Sequence, residues 1–229
     1  MLDLLDGFVE VTIRGGRAVI EDFQGDVVDK IAGFVTVGAV ICPTETVYGV
    51  IAKANRSGLE TIARAKGRSI DQLPPVLISD FSAIEGDVRF ASELQAQKTA
   101  LLIDAFWPGS LTLVLPILER TNLPSNRGVV AVRQTPNRVL AEVSRVVGPL
   151  YASSANIHGS STITCADDLV SGDGFELLSR VGVAYCNSPI GSVLASTIVE
   201  VKVDGSWLCH REGAISIDSI AGALEKYES

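Results

Sequence analysis

The most constraining feature of this sequence is a series of short apolar runs separated by longer segments with helical spacing. The clearest runs lie at residues 38–41, 76–78, 111–115 and 129–132, and their length is typical of buried strands. Further strand patterns lie around Ala152 and near residues 182–185, 196–201 and 206–208. Some predicted strands follow each other directly, while helices separate others. This order predicts an α/β fold of the α+β type, in which helices flank a twisted mixed β-sheet.

Helical spacing and capping residues predict where the helices lie. Asp26 is expected to cap a helix that reaches about residue 33, and Ser57 to cap a helix over residues 59–66. Residues 43–49 are expected to form a loop that enters a helix. The remaining predicted helices cover residues 93–106, residues 136–147 with Pro136 in the first turn, a short segment from residue 166 and a last segment from residue 218.

The first 25 residues carry the pattern of a β-hairpin. Val9, Val11 and Ile13 alternate with polar residues, and a glycine pair at residues 15 and 16 precedes a second apolar stretch. We therefore expect an N-terminal extension over residues 1–25 and a single domain over residues 26–229. A chain of 229 residues is long enough to bury the core of such a domain.

The composition excludes several classes of protein. Hydrophobic residues make up 47% and charged residues 20%, so a packed core is expected rather than disorder. The formal net charge of -8 disfavours charge-driven binding to polyanions, so a nucleotide or RNA contact needs a local basic pocket. No basic leader and no apolar run of about 20 residues is present, and we expect a cytoplasmic protein. Four separated cysteines and two histidines predict no metal site.

The common phosphate-binding motifs are missing from the sequence, but four short polar stretches each interrupt or end an apolar strand or a helix. Thr44 and Thr46 precede a predicted helix, where hydroxyls either cap the helix or help to bind an anion. Lys66 and Arg68 are either a solvated pair or a clamp for a carboxylate or polyphosphate. The stretch from Ser153 to Asn156 forms either a turn or a set of donors to phosphate.

The fourth stretch is Ser196 and Thr197, with Arg211 after the next predicted strand, and Arg133 is a further candidate. Arg133 ends an apolar strand, and a buried arginine there needs an anionic partner, whereas an exposed one is simply solvated. Ser196 lies at the start of an apolar strand, where a hydroxyl usually satisfies local backbone groups.

Taken in order, these stretches resemble the YrdC-like family, which includes the L-threonylcarbamoyladenylate synthases. The resemblance covers residues from about 26 to about 216. It rests on P-T-E-T-V-Y-G at 43–49, K-G-R at 66–68, F-W-P-G-S-L-T-L-V-L at 106–115, V-A-V-R at 130–133, S-A-N at 154–156, S-T-I-V at 196–199 and R-E-G-A-I-S at 211–216.

The resemblance implies a YrdC-like fold with a concave ligand cavity and a nucleotidyltransferase activity. The implied reaction forms threonylcarbamoyl-AMP from L-threonine, bicarbonate and ATP, with Mg²⁺, and releases pyrophosphate. A tRNA-modifying transferase would then use the adenylate. The implied catalytic residues are Lys66 and Arg68, the implied amino-acid pocket contains Thr44, Thr46 and Tyr48, and the implied nucleotide site contains Arg133, Ser154, Asn156, Ser196 and Arg211.

The sequence also departs from the family pattern at three places. The family commonly continues K-G-R-P-x-D-K-P-L, whereas a neutral Gln72 stands here in place of a cation. Ser153 replaces the proline of P-S-A-N, and Glu212 replaces the proline of R-P-G. Two other functions therefore stay open: activation of a different amino acid or carbamoyl donor, and RNA binding without catalysis.

Overall fold

The computed structural model describes residues 7–119, 121, 123, 125–157, 159–187 and 194–225. Within these residues, eleven strands form one sheet and six helices cover it. The strands are β1 (Val9–Arg14), β2 (Arg17–Asp22), β3 (Ala39–Pro43), β4 (Tyr48–Lys53), β5 (Val76–Ile78), β6 (Leu111–Pro116), β7 (Val129–Gln134), β8 (Leu150–Ser154), β9 (Val183–Cys186), β10 (Thr197–Val201) and β11 (Trp207–Arg211). The helices are α1 (Val27–Val37), α2 (Arg56–Lys66), α3 (Glu93–Phe106), α4 (Arg138–Val147), α5 (Gly172–Val181) and α6 (Ile217–Glu225).

The strand order across the sheet is β11-β10-β6-β7-β5-β8-β4-β3-β9-β1-β2. Strand β10 runs parallel to β6, β5 runs parallel to β7, and β3 runs parallel to β9, while the remaining neighbours are antiparallel. The prediction of a twisted mixed sheet flanked by helices is therefore confirmed. Parallel and antiparallel neighbours are mixed in this order, and strands that are distant in the sequence lie side by side in the sheet.

The core has two layers because the central strands bury both faces. Along β3, Val40 packs with helices α1 and α4, whereas the next residue, Ile41, packs with the other helices. The same alternation holds for Leu77 and Ile78 in β5. Helices α1 and α4 thus cover one face, and α2, α3, α5 and α6 contribute to the core on the other. None of the helices in the described residues is long and apolar enough to cross a membrane.

The predicted N-terminal hairpin is present and joins the main sheet. Strands β1 and β2 pair antiparallel, and the other edge of β1 pairs antiparallel with β9. Val11 in β1 is fully buried in the same core as the central strands. The division into an extension over residues 1–25 and a domain over 26–229 stays a prediction.

Three predicted boundaries were wrong. The loop at residues 43–49 leads into strand β4, not into a helix, because Val50, Ile51 and Ala52 are buried on both faces and show no alternation. The Asn55 side chain, not that of Ser57, accepts the capping hydrogen bond of α2, at 2.8 Å from the Gly58 nitrogen. Helix α4 begins at Arg138 after an Asn137 cap, so Pro136 precedes its first turn.

Candidate functional site

A cavity of about 200 Å³ opens where the β3–β4 turn meets the ends of β7, β8 and β11 and the start of β10. Its wall combines small apolar groups with hydroxyls and guanidinium groups. The lining residues are Thr44, Thr46, Val47, Gly49, Arg68, Pro75, Arg133, Ala152, Ser153, Ser154, Ala195, Ser196 and Arg211. The resemblance to the YrdC-like family implies a concave cavity lined by these stretches, and seven of the implied site residues lie in this wall.

Three arginines line this cavity and make it cationic within a protein of net charge -8. Arg68 follows α2, Arg133 lies near the end of β7, and Arg211 ends β11. Burial lowers the pKa of each guanidinium, but arginine keeps its charge at any physiological pH. Three planar cations around one small cavity form a site for an anion with several oxygens.

Arg68 is the arginine with the most unused hydrogen-bonding capacity. Its Nε and Nη2 atoms are buried, and neither has a hydrogen-bond partner among the described residues. Gly67 places it there: this residue ends α2 in the left-handed conformation, with φ of 66°, so the chain turns sharply between Lys66 and Arg68. Buried donors without a partner are costly, which indicates that a ligand completes the site.

Lys66 is not part of the cavity lining, and its side chain contacts the S-A-N turn. Its ammonium donates to the Ser154 carbonyl, and to the Asn156 carbonyl and Oδ1 at 2.7 Å each. The residue is 4% exposed, and burial, followed by the charge of Arg68, lowers its pKa to about 8. The three donors of the ammonium group are thus used in holding the turn in place.

The S-A-N turn presents one hydroxyl to the cavity. Ser154 is exposed and lines the wall, while its Oγ donates to Asn156 Oδ1 at 2.7 Å. Asn156 lies behind the wall, where its Nδ2 donates to the Ser160 carbonyl at 2.8 Å. The two predicted nucleotide-binding residues therefore lie together, but the Ser154 side chain is the one that reaches the cavity.

The β3–β4 turn is shaped by its own threonine hydroxyls. Thr44 Oγ1 donates to the Val47 carbonyl at 2.6 Å and accepts from the Thr46 and Val47 nitrogens. This bonding is typical of a turn closed by a side chain. The predicted helix cap is therefore wrong: Thr44 closes a hairpin turn instead, and the Thr46 hydroxyl lies 3.1 Å from Thr44 Oγ1. Both residues also line the cavity, as the site prediction requires.

Arg133 has an acidic partner that the site prediction did not include. Its Nε lies 2.7 Å from Glu45 Oε1, and Glu45 Oε2 accepts from Thr135 Oγ1 at 2.8 Å. Glu45 stands between Thr44 and Thr46 in the sequence, so its position inside the threonine stretch was the available signal. The alternative of a solvated arginine is wrong, because Arg133 is 5% exposed.

Arg211 and Ser196 form the far wall of the cavity. Arg211 donates through Nε and Nη2 to the Ser196 carbonyl, at 3.1 and 2.8 Å, and Ser196 Oγ lies 2.9 Å from Thr112 Oγ1. A shift of register between β10 and β11 precedes Arg211 and alters its direction. Gly213 is required nearby, because a Cβ atom there would lie 2.0 Å from the Ala195 carbonyl oxygen.

Besides Lys66 and Asn156, three residues from the sequence analysis lie outside this wall. Tyr48 is fully buried in the core beneath the turn, so its predicted place at an amino-acid pocket stays a prediction. Gln72 is exposed and is not part of the cavity lining. Glu212, the other departure, accepts from the Ile217 nitrogen at 3.0 Å and so caps the start of α6.

The chain was compared with known families and proteins. Residues 36–213 match the model of the Sua5, YciO and YrdC family, whose description is "Telomere recombination". A putative threonylcarbamoyl-AMP synthase from Mycobacterium leprae is 34% identical over 188 residues, which cover 81% of each chain. The threonylcarbamoyl-AMP synthase of Bacillus subtilis is 32% identical, and the match covers 81% of this chain but 52% of the relative.

Solved structures agree with the sequence matches. The Sua5 protein of Pyrococcus abyssi, crystallised with L-threonine, superposes with a TM-score of 0.72 at 26% identity. That match covers 86% of this chain and 56% of Sua5, so this chain spans little more than half of that protein. YciO of E. coli shares the fold, with a TM-score of 0.69 at 16% identity. From the family model and the length of these matches, the chain belongs to the Sua5, YciO and YrdC family.

Proposed function

We propose that this chain is an enzyme that forms L-threonylcarbamoyl-AMP from ATP, L-threonine and bicarbonate and releases pyrophosphate. The observation that carries the proposal is the convergence of Arg68, Arg133 and Arg211 on one cavity. Relatives with the name threonylcarbamoyl-AMP synthase, and a related structure that contains L-threonine, support the choice of substrates.

The proposed reaction needs two bond-forming steps. The amine of threonine and bicarbonate form a carbamate with loss of water, and a carbamate oxygen then attacks the α-phosphorus of ATP. The bond from that phosphorus to the bridging oxygen breaks, and pyrophosphate leaves with the electron pair. Such a transfer depends mainly on positioning the reactants and on stabilising the charge of the leaving phosphates.

The residues of the cavity can supply both contributions. Arg133 and Arg211 are placed to bind phosphate oxygens, and the unpaired nitrogens of Arg68 can hold a phosphate or a substrate carboxylate. Since Glu45 holds Arg133 and the Ser196 carbonyl holds Arg211 before a ligand arrives, these two cations stabilise developing negative charge without having to reorganise. Lys66 contributes by holding the turn that presents Ser154, so we assign it a positioning role.

Magnesium fits this proposal as a companion of ATP rather than as a resident metal. Among the described residues, no group of three or more histidine, cysteine or acidic side chains could hold an ion. Glu45, the acidic residue next to the cavity threonines, is already paired with Arg133. A magnesium ion would therefore enter on the phosphates of ATP, where it neutralises part of their charge.

The identity of the product tests the proposal against its nearest alternative. The purified chain is incubated with ATP, magnesium, isotopically labelled bicarbonate and one amino acid at a time, and adenylates are detected by mass spectrometry. We expect a labelled carbamoyl-adenylate with L-threonine. A labelled adenylate formed only with another amino acid would assign the chain to a different substrate. Transfer to tRNA by a partner enzyme and a cytoplasmic location follow from the proposal and stay predictions.

A further inference from the structure

Glu45 is a buried carboxylate that the proposed reaction does not use, although it lies among cavity residues. Its side chain is 11% exposed, and that of Arg133 is 6% exposed. Glu45 is not part of the cavity wall, whereas Arg133 and both neighbouring threonines are. A charge this well buried is costly unless something compensates it, so its retention needs a specific explanation.

The contacts of Glu45 join the β3–β4 turn to the segment that follows β7. Glu45 Oε1 lies 2.7 Å from Arg133 Nε, and Thr135 Oγ1 donates to Glu45 Oε2 at 2.8 Å. The Asn137 side chain adds a second link, since its Nδ2 donates to the Pro43 carbonyl at 3.2 Å. The Glu45 carboxylate therefore has a partner on each oxygen, and it contacts the Arg133 guanidinium at the Nε edge.

Glu45 contacts one edge of the Arg133 guanidinium, so the other edge is the one that can face a ligand. Glu45 occupies the Nε side of Arg133, while Nη1 lies 3.5 Å from Thr46 Oγ1, on the cavity wall. The Nε and Oε1 atoms are close, but neither has a hydrogen bond of good geometry within the described residues. The contact is thus chiefly electrostatic, and it leaves Nη2 and the second hydrogen of Nη1 available for an anion.

The charge of Glu45 also limits repulsion inside the cavity. The positive charge of Arg211 lowers the pKa of Arg133, whereas the negative charge of Glu45 raises it, after the dominant effect of burial. Without the carboxylate, the three guanidinium groups would face each other with no buried negative charge beside Arg133. Arg133 would then be free to turn away from the cavity.

From this geometry we infer that Glu45 is a positioning residue, which fixes Arg133 with its Nη groups facing the phosphates of the substrate. This inference rests on the proposed function for the identity of the anion, but the orientation of Arg133 is independent of the amino acid used. Glu45 itself does not contact the ligand. Its effect on binding is therefore exerted through Arg133 alone.

A double-mutant cycle tests this dependence. The affinity for ATP is measured by calorimetry for the wild type, Glu45→Gln, Arg133→Ala and the double variant, because glutamine keeps the shape and can still accept from Thr135. We expect Glu45→Gln to weaken ATP binding about tenfold in the wild type and to have almost no effect when Arg133 is alanine. Glu21→Gln, which removes the same charge from an exposed ion pair, is the matched control and should not change the affinity.

The possible results separate the positioning role of Glu45 from a general structural role and from the proposed function. Equal effects of Glu45→Gln in both backgrounds would overturn the positioning role, since a general structural role would not depend on Arg133. Glu45→Asp, which keeps the charge but withdraws it by one methylene, provides a second variant if the glutamine form folds poorly, and it should show the same dependence. A wild type that binds ATP but forms no carbamoyl-adenylate would defeat the proposed function and not the role of Glu45. Absence of ATP binding to the wild type would overturn both.

Discussion

At the scale of single residues, the two charges of the K-G-R stretch have different tasks. Lys66 is bonded to the S-A-N turn, and Arg68 carries buried donors without partners towards the cavity. The sequence places these two cations two positions apart and indicates the same role for both. The structure separates their roles because Gly67 ends the helix between them. Only the tertiary fold brings Lys66 next to Asn156, which lies 90 residues further along the chain.

Arg68 should be essential for substrate binding. Arg68→Ala removes a charged donor that has no substitute on its side of the cavity, and we expect kcat/KM to fall about 100-fold. Steady-state kinetics of adenylate formation measures this loss. Arg56→Ala, which removes an exposed arginine from the start of the same helix, is the control and should keep full activity. Full activity in Arg68→Ala would refute the assignment of the site.

Lys66 should make stability depend on pH. Its pKa is lowered from 10.5 to about 8 in the folded protein, so below pH 8 both the folded and the unfolded chain carry the proton and the cost of burying the charge is fully present. Between pH 8 and 10.5 the unfolded chain binds more protons, so the free energy of unfolding should rise, by at most about 1.4 kcal/mol per pH unit from this group.

Urea unfolding of the wild type and of Lys66→Met at several pH values isolates this contribution. We expect the stability of the wild type relative to the variant to increase with pH across this interval. A difference that stays constant with pH would show that Lys66 keeps an ordinary pKa, so that burial does not disfavour its charged form in the folded protein.

At the scale of secondary-structure elements, the largest difference between prediction and structure is the β3–β4 hairpin, where a helix was predicted. The stretch from Thr44 to Val47 has the hydroxyls of a helix start, and these hydroxyls do close a turn, but the chain then returns as a strand. A strand that is buried on both faces has no alternating pattern, so the sequence could not distinguish it from part of a helix. The sequence predicts only a short helix from residue 166 and does not predict α5, because the glycines at residues 172 and 174 lower the helix propensity of this segment.

Substitutions of Gly67 and Gly33 by alanine test whether the end of helix α2 requires the left-handed conformation of Gly67. Gly67→Ala places a side chain in the left-handed conformation at the end of α2, and we expect a loss of about 1 kcal/mol in the free energy of unfolding. Gly33→Ala lies in the exposed interior of α1, where an added Cβ contacts nothing, and it should stabilise the protein by about 1 kcal/mol. Urea unfolding measures both changes. A change of the same sign in the two variants would contradict the role given to Gly67.

At the scale of the whole molecule, the sequence predicted the mixed sheet, the hairpin at its edge and most members of the cavity wall. The sheet and the hairpin follow from the spacing of the apolar runs, whereas the cavity residues are those implied by the resemblance of seven ordered stretches to the family. The individual contacts of these residues did not follow from the sequence, because they join distant elements: Glu45 beside Arg133, Thr112 beside Ser196 and the S-A-N turn around Lys66. The positive charge converges in one cavity of an acidic protein, which favours a small anionic substrate over an extended RNA surface.

The measurement that tests the central claim most directly is pyrophosphate release by the purified chain when each substrate is omitted in turn. The proposed reaction forms the carbamate before the phosphorus is attacked, so release should require ATP, bicarbonate and L-threonine together. Omission of any one of the three should reduce the rate to the background measured without the protein. Pyrophosphate release that continues unchanged without bicarbonate would contradict the account.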